Sequence, residues 1–317
     1  MKVTEHIQKA QNTLFTIEIL PPKKGEDINT LFGHVESLLD FEPAFIDVTY
    51  HREEFIYKQR GDGSFHKSVT RKRPGTVGIC AAIQNRYNID TVPHIICGGF
   101  SREDTENMLI ELDFLGIENV LALRGDPIKS EPGFIAHPEG NCFASELVGQ
   151  IADMNRGIYQ DKELDQPQAT NFCIGAAGYP EKHFEAPNID TDFQYLKRKV
   201  ELGAEFIVTQ MFFDNQVYFD FVKLCREHDI NVPIIPGLKP MATLKHLTLL
   251  PQFFHLDIPE ALSKEVAKCE NNKQVKEVGV EWCVQQCKEL IEFGAPVLHF
   301  YTMSRSELVK RVARQVF

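Results

Sequence analysis

The sequence predicts a single (β/α)8 TIM barrel, and three observations predict it. Short apolar, β-rich runs recur from near the N-terminus to near the C-terminus, eight in number. Helix-period segments separate them, as in a parallel sheet with crossover helices. No GxGxxG opens a helix after any of these runs, which weakens the competing reading of a doubly wound dinucleotide-binding sheet. The 317 residues suit one domain of this kind, so residues 1–317 are expected to form one barrel.

The first strand is expected over Phe15–Leu20 (FTIEIL), the second over Phe45–Tyr50 (FIDVTY), the third over Pro93–Cys97 (PHIIC) and the fourth over Asn119–Arg124 (NVLALR). The other four follow over Phe172–Gly178, Glu205–Phe212, Pro233–Gly237 and Val297–Thr302. Pro74 suits the first turn of a helix running through Val77, Cys80 and Ala81. Ser101 is a candidate N-cap for a helix carrying Met108, Leu109, Leu112 and Leu115, with Gly116 as its stop. Leu147, Val148, Ile151 and Met154 form another stripe. Thr191-x-x-Gln194 reads as a capping box ahead of Phe193, Leu196 and Val200, closed by Gly203. Val217, Phe221 and Cys225 mark a further helix. Two long polar connections, His51–Arg73 and Arg156–Thr170, read either as lids over a site or as surface insertions.

Composition narrows the partners. A hydrophobic content of 43% and a charged content of 25% are those of an ordinary globular protein. The formal charge of −11 argues against nucleic acid or an anionic membrane as the main partner, while leaving room for local basic pockets. No apolar run approaches the ~18 residues of a membrane span, and the N-terminus lacks a signal-peptide core; a cytoplasmic location is expected. The eight cysteines form no CxxC pair, so reduced structural thiols are expected and no metal site. Cys283 and Cys287 share a helix face, but two ligands do not make a metal site.

In a barrel of this class, chemistry sits where the strands' C-terminal ends meet the following loops. Those ends carry Glu18, Thr49, His94, the pair Arg124 and Asp126, Tyr179 with His183, Gln210, Tyr301 and Arg305. Singly, each has an ordinary explanation. A strand carboxylate can face outward with its charge paired, an isolated histidine is commonly a core residue, and Arg-Gly-Asp-Pro can simply end a strand. Converging on one mouth, they point to a catalytic site.

A set of motifs then makes the likeness specific: TIEILPP (Thr16–Pro22), DVTY (Asp47–Tyr50), PHIIC, ALRGD (Ala122–Asp126) and AAGYPEKH (Ala176–His183). DFQYLKRKVELGA (Asp192–Ala204), TQMFFD (Thr209–Asp214), IIPGLKP (Ile234–Pro240) and HFYTMSR (His299–Arg305) complete it. In this order they resemble the methylenetetrahydrofolate reductase family across the whole catalytic domain. Nothing follows Phe317, so the carboxy-terminal regulatory domain of the eukaryotic relatives is expected to be missing and the chain to resemble the bacterial form.

The resemblance implies a flavoenzyme in which non-covalent FAD carries a hydride from NADH or NADPH to 5,10-methylenetetrahydrofolate. The folate ring must open to an iminium, which requires a proton at N10, and the resemblance assigns that general-acid role to Glu18. It assigns Asp126 to electrostatic tuning of the flavin. Thr49, His94, Arg124, Gly125, Asp126, Phe143, Ala144, Tyr179, His183, Asp192, Arg198 and Lys199 match flavin-contacting positions; Glu18, Gln210, His246 and Arg305 match substrate positions. Lys199 and Arg198 would face the pyrophosphate, although LKRK otherwise reads as a solvated helix face. NADH is the bacterial expectation, with no fingerprint to decide it against NADPH, and a homo-oligomer is implied.

The chain departs from the family at several places. His51-Arg52 stand where many relatives have Gly-Ala, ahead of a longer loop; Phe143 replaces a tyrosine; and His246 and Leu250 stand where some bacterial relatives carry Gln and Phe. The competing functional readings are a proline dehydrogenase-like flavin barrel, which has no use for the Glu18 proton, and a non-catalytic folate-binding barrel.

Overall fold

Alternation along the first run fixes which way its side chains point. In LFTIEI, the strand β1 (Leu14–Ile19), residues Phe15, Ile17 and Ile19 share one face and Leu14, Thr16 and Glu18 the other, since a strand's side chains alternate. The first set joins the large apolar layer beneath the surrounding helices, so Thr16 and Glu18 face the barrel interior. The computed structural model describes residues 1–128, 131–303 and 305–317; Ser304, within the HFYTMSR stretch, lies outside them.

The barrel strands are β1, β2 (Phe45–Val48), β5 (Asp90–Ile96), β6 (Asn119–Leu123), β7 (Cys173–Gly178), β8 (Phe206–Met211), β9 (Ile234–Leu238) and β10 (Val297–Tyr301); β3 (Glu54–Gln59) and β4 (Phe65–Thr70) make a separate hairpin. The sheet closes in the order β1-β10-β9-β8-β7-β6-β5-β2, with parallel pairing at each junction. All eight expected strands are present, their ends shifted by a few residues at most. The helices are α1 (Val3–Lys9), α2 (Ile28–Glu36), α3 (Thr76–Tyr87), α4 (Arg102–Phe114), α5 (Ala144–Met154) and α6 (Ile189–Glu201). There follow α7 (Asn215–Glu227), α8 (His246–Phe254), α9 (Glu260–Ala267), α10 (Asn272–Phe293) and α11 (Ser306–Val316).

Two apolar layers hold this arrangement. Outward-facing strand residues such as Ile17, Ile46, Val120, Ile207 and Leu298 pack under the helices, each fully buried side chain contributing about 1.5–3 kcal/mol of transfer free energy. Inside the lower barrel, Phe45, Val92, Leu121, Phe206, Ile235 and Val297 fill the lumen together with Val3. Helix α1 caps that end, the Val3 amide donating to Asn119 Oδ1 at 2.8 Å. The lumen is therefore packed below and polar above.

Local details correct several expectations. Ser101 does cap α4, with Asp104 completing the box, but Leu115 is its C-cap and 46% exposed. Helix α6 is capped by Asn188, whose side chain accepts from the Thr191 amide; the Thr191–Gln194 box does not form because the chain turns helical three residues earlier. Pro74 precedes the N-cap Gly75 rather than lying in the first turn of α3. The 51–73 connection contains the β3–β4 hairpin and follows the C-terminal end of β2, so it rises from the mouth. The 156–170 connection leads from α5 into the N-terminal end of β7, so it lies at the far end and is no lid for the mouth.

Candidate active site

On the β1–β2–β5 side, strand register places the titratable groups beside one another. Glu18 aligns with Asp47 across β1 and β2, and His94 reaches in from β5, its Nε2 3.6 Å from both Glu18 Oε2 and Asp47 Oδ2. Behind them Thr16 Oγ1 lies 3.0 Å from His299 Nδ1. Asp47 and His299 are fully buried, and Asp47's oxygens, His94 Nε2 and His299 Nε2 have no hydrogen-bond partner among the described residues.

Burial governs the charges here. It pushes the Glu18 carboxyl up to about 7, with His94 opposing and Asp47 adding to the shift. Asp47 is pushed up to about 6, again by burial, with His299 opposing. Burial also moves the His94 and His299 imidazoles down, so the neutral forms dominate near pH 7. A carboxyl that titrates near neutral pH while facing the mouth is suited to proton donation.

The β6–β7–α6 side is built differently. Gly125 follows β6 at φ +84, and a Cβ there would lie 3.2 Å from Ile96 Cβ, so only glycine brings the backbone this close to β5 without strain. Arg124 donates to Glu185 at 2.5 Å and lies over the Phe134 ring. The Asp192 carboxylate accepts from the His183 amide at 2.8 Å, fixing the loop after β7, where Tyr179 and His183 meet edge to face. Burial pushes Tyr179 up to about 12, with Asp126 and Asp192 nearby.

Lys199 turns inward from α6 and donates to the Ala177 carbonyl at 2.8 Å; burial lowers it to about 8, Asp192 opposing. A small cleft is lined by Ala177, Tyr179, Asp192, Phe193, Leu196 and Lys199. Arg198, one position earlier, has a 60% exposed side chain and meets Glu201 at 3.8 Å. Of the basic pair, Lys199 faces the cleft and Arg198 the solvent.

A half-buried cation for a phosphate, a carboxylate acceptor with one oxygen free for a ribose hydroxyl and a glycine-permitted backbone approach for a ring system are what a dinucleotide needs. The residues therefore fit a flavin nucleotide. Thr49, whose hydroxyl donates to the Ile19 carbonyl at 3.3 Å, and Ala144, the first residue of α5, stand on the same mouth. Phe143 occupies the N-cap position of α5 and is 59% exposed.

The remaining substrate candidates lie on the β8–β9–β10 side. Gln210 sits within β8 at a register shift and is half-buried. His246 opens α8, its Nδ1 accepting from the Ala242 amide at 3.2 Å, and burial lowers it to about 4, aided by Lys239 and Arg305. Arg305 is exposed at the start of α11. Leu250 is buried in the cluster under α8 and α9.

Sequence reasoning missed Asp47, His299 and Lys239 as site residues. Each stood in a quoted motif, and two-residue alternation carried the signal: Phe45, Asp47 and Thr49 share a face, as do Val297, His299 and Tyr301, and Ile235, Gly237 and Lys239. The end-of-strand criterion overlooked Asp47 and His299 because each lies two residues short of the strand-end group on its own face, Thr49 and Tyr301.

A family model for methylenetetrahydrofolate reductase matches residues 2–316. The chain belongs to the methylenetetrahydrofolate reductase family. It is 32% identical to "Methylenetetrahydrofolate reductase (NADH) 1" of Arabidopsis thaliana over 96% of this chain and 49% of that protein. It is 28% identical to the 5,10-methylenetetrahydrofolate reductase of Salmonella typhimurium, over 92% of this chain and 87% of that one. The chain spans about half the length of the plant and yeast reductases it matches. Among solved structures, a Clostridium thermocellum protein described as binding two copies of 5-methyl-5,6,7,8-tetrahydrofolic acid superposes with a TM-score of 0.56 at 13% identity, covering 99% of this chain and 98% of that one. That likeness shows the barrel fold.

Proposed function

We propose that this reductase-family barrel reduces 5,10-methylenetetrahydrofolate to 5-methyltetrahydrofolate, using non-covalent FAD and a reduced nicotinamide, with NADH the expected donor. The observation that carries the reading is Glu18: an inward-facing carboxyl at the mouth, 9% exposed and shifted to about 7 by burial. When bound, FAD supplies the redox chemistry, accepting a hydride from the nicotinamide and passing it to the folate.

Glu18 supplies the proton. As the bond between N10 and the methylene carbon breaks, its electron pair stays on N10, which takes the Glu18 proton; the N5 lone pair closes the iminium. Two charges appear from neutral reactants, a carboxylate on Glu18 and a cation on the folate. Asp126, exposed at the mouth just beyond β6, offers the iminium a negative charge, a contribution that reaches the order of 2–4 kcal/mol only where bound cofactor and substrate exclude water from it. Lys199 offers a cation to a phosphate and Asp192 an acceptor to a ribose hydroxyl. Arg124 and Gly125 hold the strand end against which the ring system would rest.

The test is spectroscopic. Purified protein should be yellow, should bleach anaerobically with NADH, and should recolour on adding methylenetetrahydrofolate. Acid precipitation should release the colour into the supernatant. A protein that binds methylenetetrahydrofolate but no flavin would overturn the redox reading in favour of a folate-binding barrel. Bleaching by a cyclic amine instead of NADH would favour amine oxidation.

A further inference from the structure

Strand register brings one more charged group to Glu18. In β9, Ile235 faces the lumen and Gly237 follows on the same face, where a Cβ would come within 2.5 Å of the Tyr301 ring. Two residues on, the same alternation turns Lys239 inward. Leu238, the last residue of β9, pairs with Phe300, so Lys239, the next residue, continues toward the level of Tyr301, which itself pairs with Glu18 across β10 and β1. Glu18, Tyr301 and Lys239 thus come together at the top of the barrel. Tyr301 is spoken for, its hydroxyl donating to the Thr209 carbonyl at 2.6 Å.

The charged groups that bear on Lys239 come from three elements: Glu18 on β1, Arg305 at the start of α11 and His246 on α8. Tyr301, from β10, is held in its neutral form by burial. Burial lowers the Lys239 ammonium to about 8, with Glu18 the group that opposes the shift and Arg305 one that adds to it. Glu18 is therefore the counter-charge in this set, and it is a group the reaction turns from neutral to anionic.

We propose that Lys239 is a positioning residue acting through Glu18: its ammonium stabilises the carboxylate left when Glu18 gives its proton to N10, as Asp126 stabilises the iminium. The inference rests on the proposed function. It adds that each charge created by ring opening meets an opposite charge from the chain, so the cation is worth more after proton transfer than before it.

The test separates this role from simple folding or substrate anchoring. In FAD-free protein, the carboxylic C=O infrared band assigned to Glu18, by its loss in Glu18→Gln, is titrated against pH. An opposite charge in close contact lowers a carboxyl by about one to three units. Among the described residues Lys239 makes no ion pair with Glu18, and it follows burial, His94 and Asp47 in its effect on it. Lys239→Met should therefore raise the midpoint by up to about one unit, at most about a tenfold gain in proton affinity. Lys239→Arg should restore it. In stopped flow, Lys239→Met should slow flavin reoxidation by the folate about 10- to 100-fold at saturating folate while leaving reduction by NADH within about twofold. Lys239→Gln carries the same measurements if the methionine variant does not fold. An unmoved midpoint overturns the proposal, as does a loss seen only in folate affinity, which would make Lys239 a substrate anchor. If Glu18→Gln fails to slow the folate step, the assignment of the acid is wrong, while the infrared midpoint still reports whether Lys239 acts on Glu18.

Discussion

On the β1–β2–β5 side of the mouth, the carboxyls of Glu18 and Asp47 both face one imidazole nitrogen, His94 Nε2, at 3.6 Å and are buried almost completely. On the β6–β7–α6 side, Arg124 and Asp192 are tied by hydrogen bonds to Glu185 and to the His183 amide, and Lys199 to a backbone carbonyl. The first side leaves polar atoms unpaired in a low-dielectric interior and so moves its proton affinities toward neutrality. The second ties its groups down with hydrogen bonds, and even Lys199, lowered by burial to about 8, still carries its charge at neutral pH. One arrangement suits a group that must change protonation state during turnover, the other groups that hold a ligand in place.

The largest expected effect tests the first side. Glu18→Gln keeps size and polarity but has no carboxylic proton, so recolouring of NADH-bleached protein by folate should slow by about 10²–10⁴-fold, the usual worth of general acid catalysis. Bleaching by NADH should be unaffected. Equal loss in both half-reactions would erase the contrast, because Glu18 would then be holding the cofactor.

Asp126→Asn is nearly isosteric and should retain FAD while slowing the folate step by roughly 10- to 10³-fold. Removing the negative charge should raise the flavin reduction potential. A potential that falls or stays put would refute the electrostatic role.

Lys199→Met tests the second side. Loss of a hydrogen bond to a charged group is worth about 1.5–3 kcal/mol, so FAD affinity should fall about 10- to 100-fold by equilibrium dialysis. Both half-reactions should recover together at saturating FAD. Selective loss of the folate step would move Lys199 into the chemistry.

The smallest effect concerns stability. Burial raises Glu18 from 4.5 to about 7, so the folded state binds its proton more tightly than the unfolded chain. The associated stability is complete below pH 4.5 and is lost as pH rises through about 7. Glu18→Gln has no proton to lose. Its melting temperature relative to wild type should therefore climb by several degrees between pH 4 and pH 9, corresponding to at most about 3 kcal/mol. A constant difference across that range would mean that the carboxyl is not shifted.

The two polar connections show where sequence reading stopped. Both 51–73 and 156–170 have the composition of surface loops. Which end of a strand a connection joins depends on the barrel's path, so it was the parallel order that put one at the mouth and the other at the base. The hairpin also escaped the pattern, because Phe55, Tyr57, Phe65 and Val69 are exposed and alternate without a core to face. Its base is pinned instead by the Arg52–Glu131 pair at 2.9 and 3.0 Å.

The sequence by itself determined the eight strands, because alternation and apolar runs are local and the lumen and helix layers reward them everywhere. It likewise placed Glu18, His94, Arg124, Asp126 and Tyr179 at strand ends, since that position is read by counting along the chain. What only the tertiary structure decided was which of these groups meet. Asp47 joins Glu18 through the β1–β2 register, His299 joins Thr16 across more than 280 residues, and Lys239, just past the end of β9, comes under the charge of Glu18. Register and closure bring side chains from distant segments into a medium of low dielectric, and that proximity and dryness, which no local pattern encodes, set the protonation states.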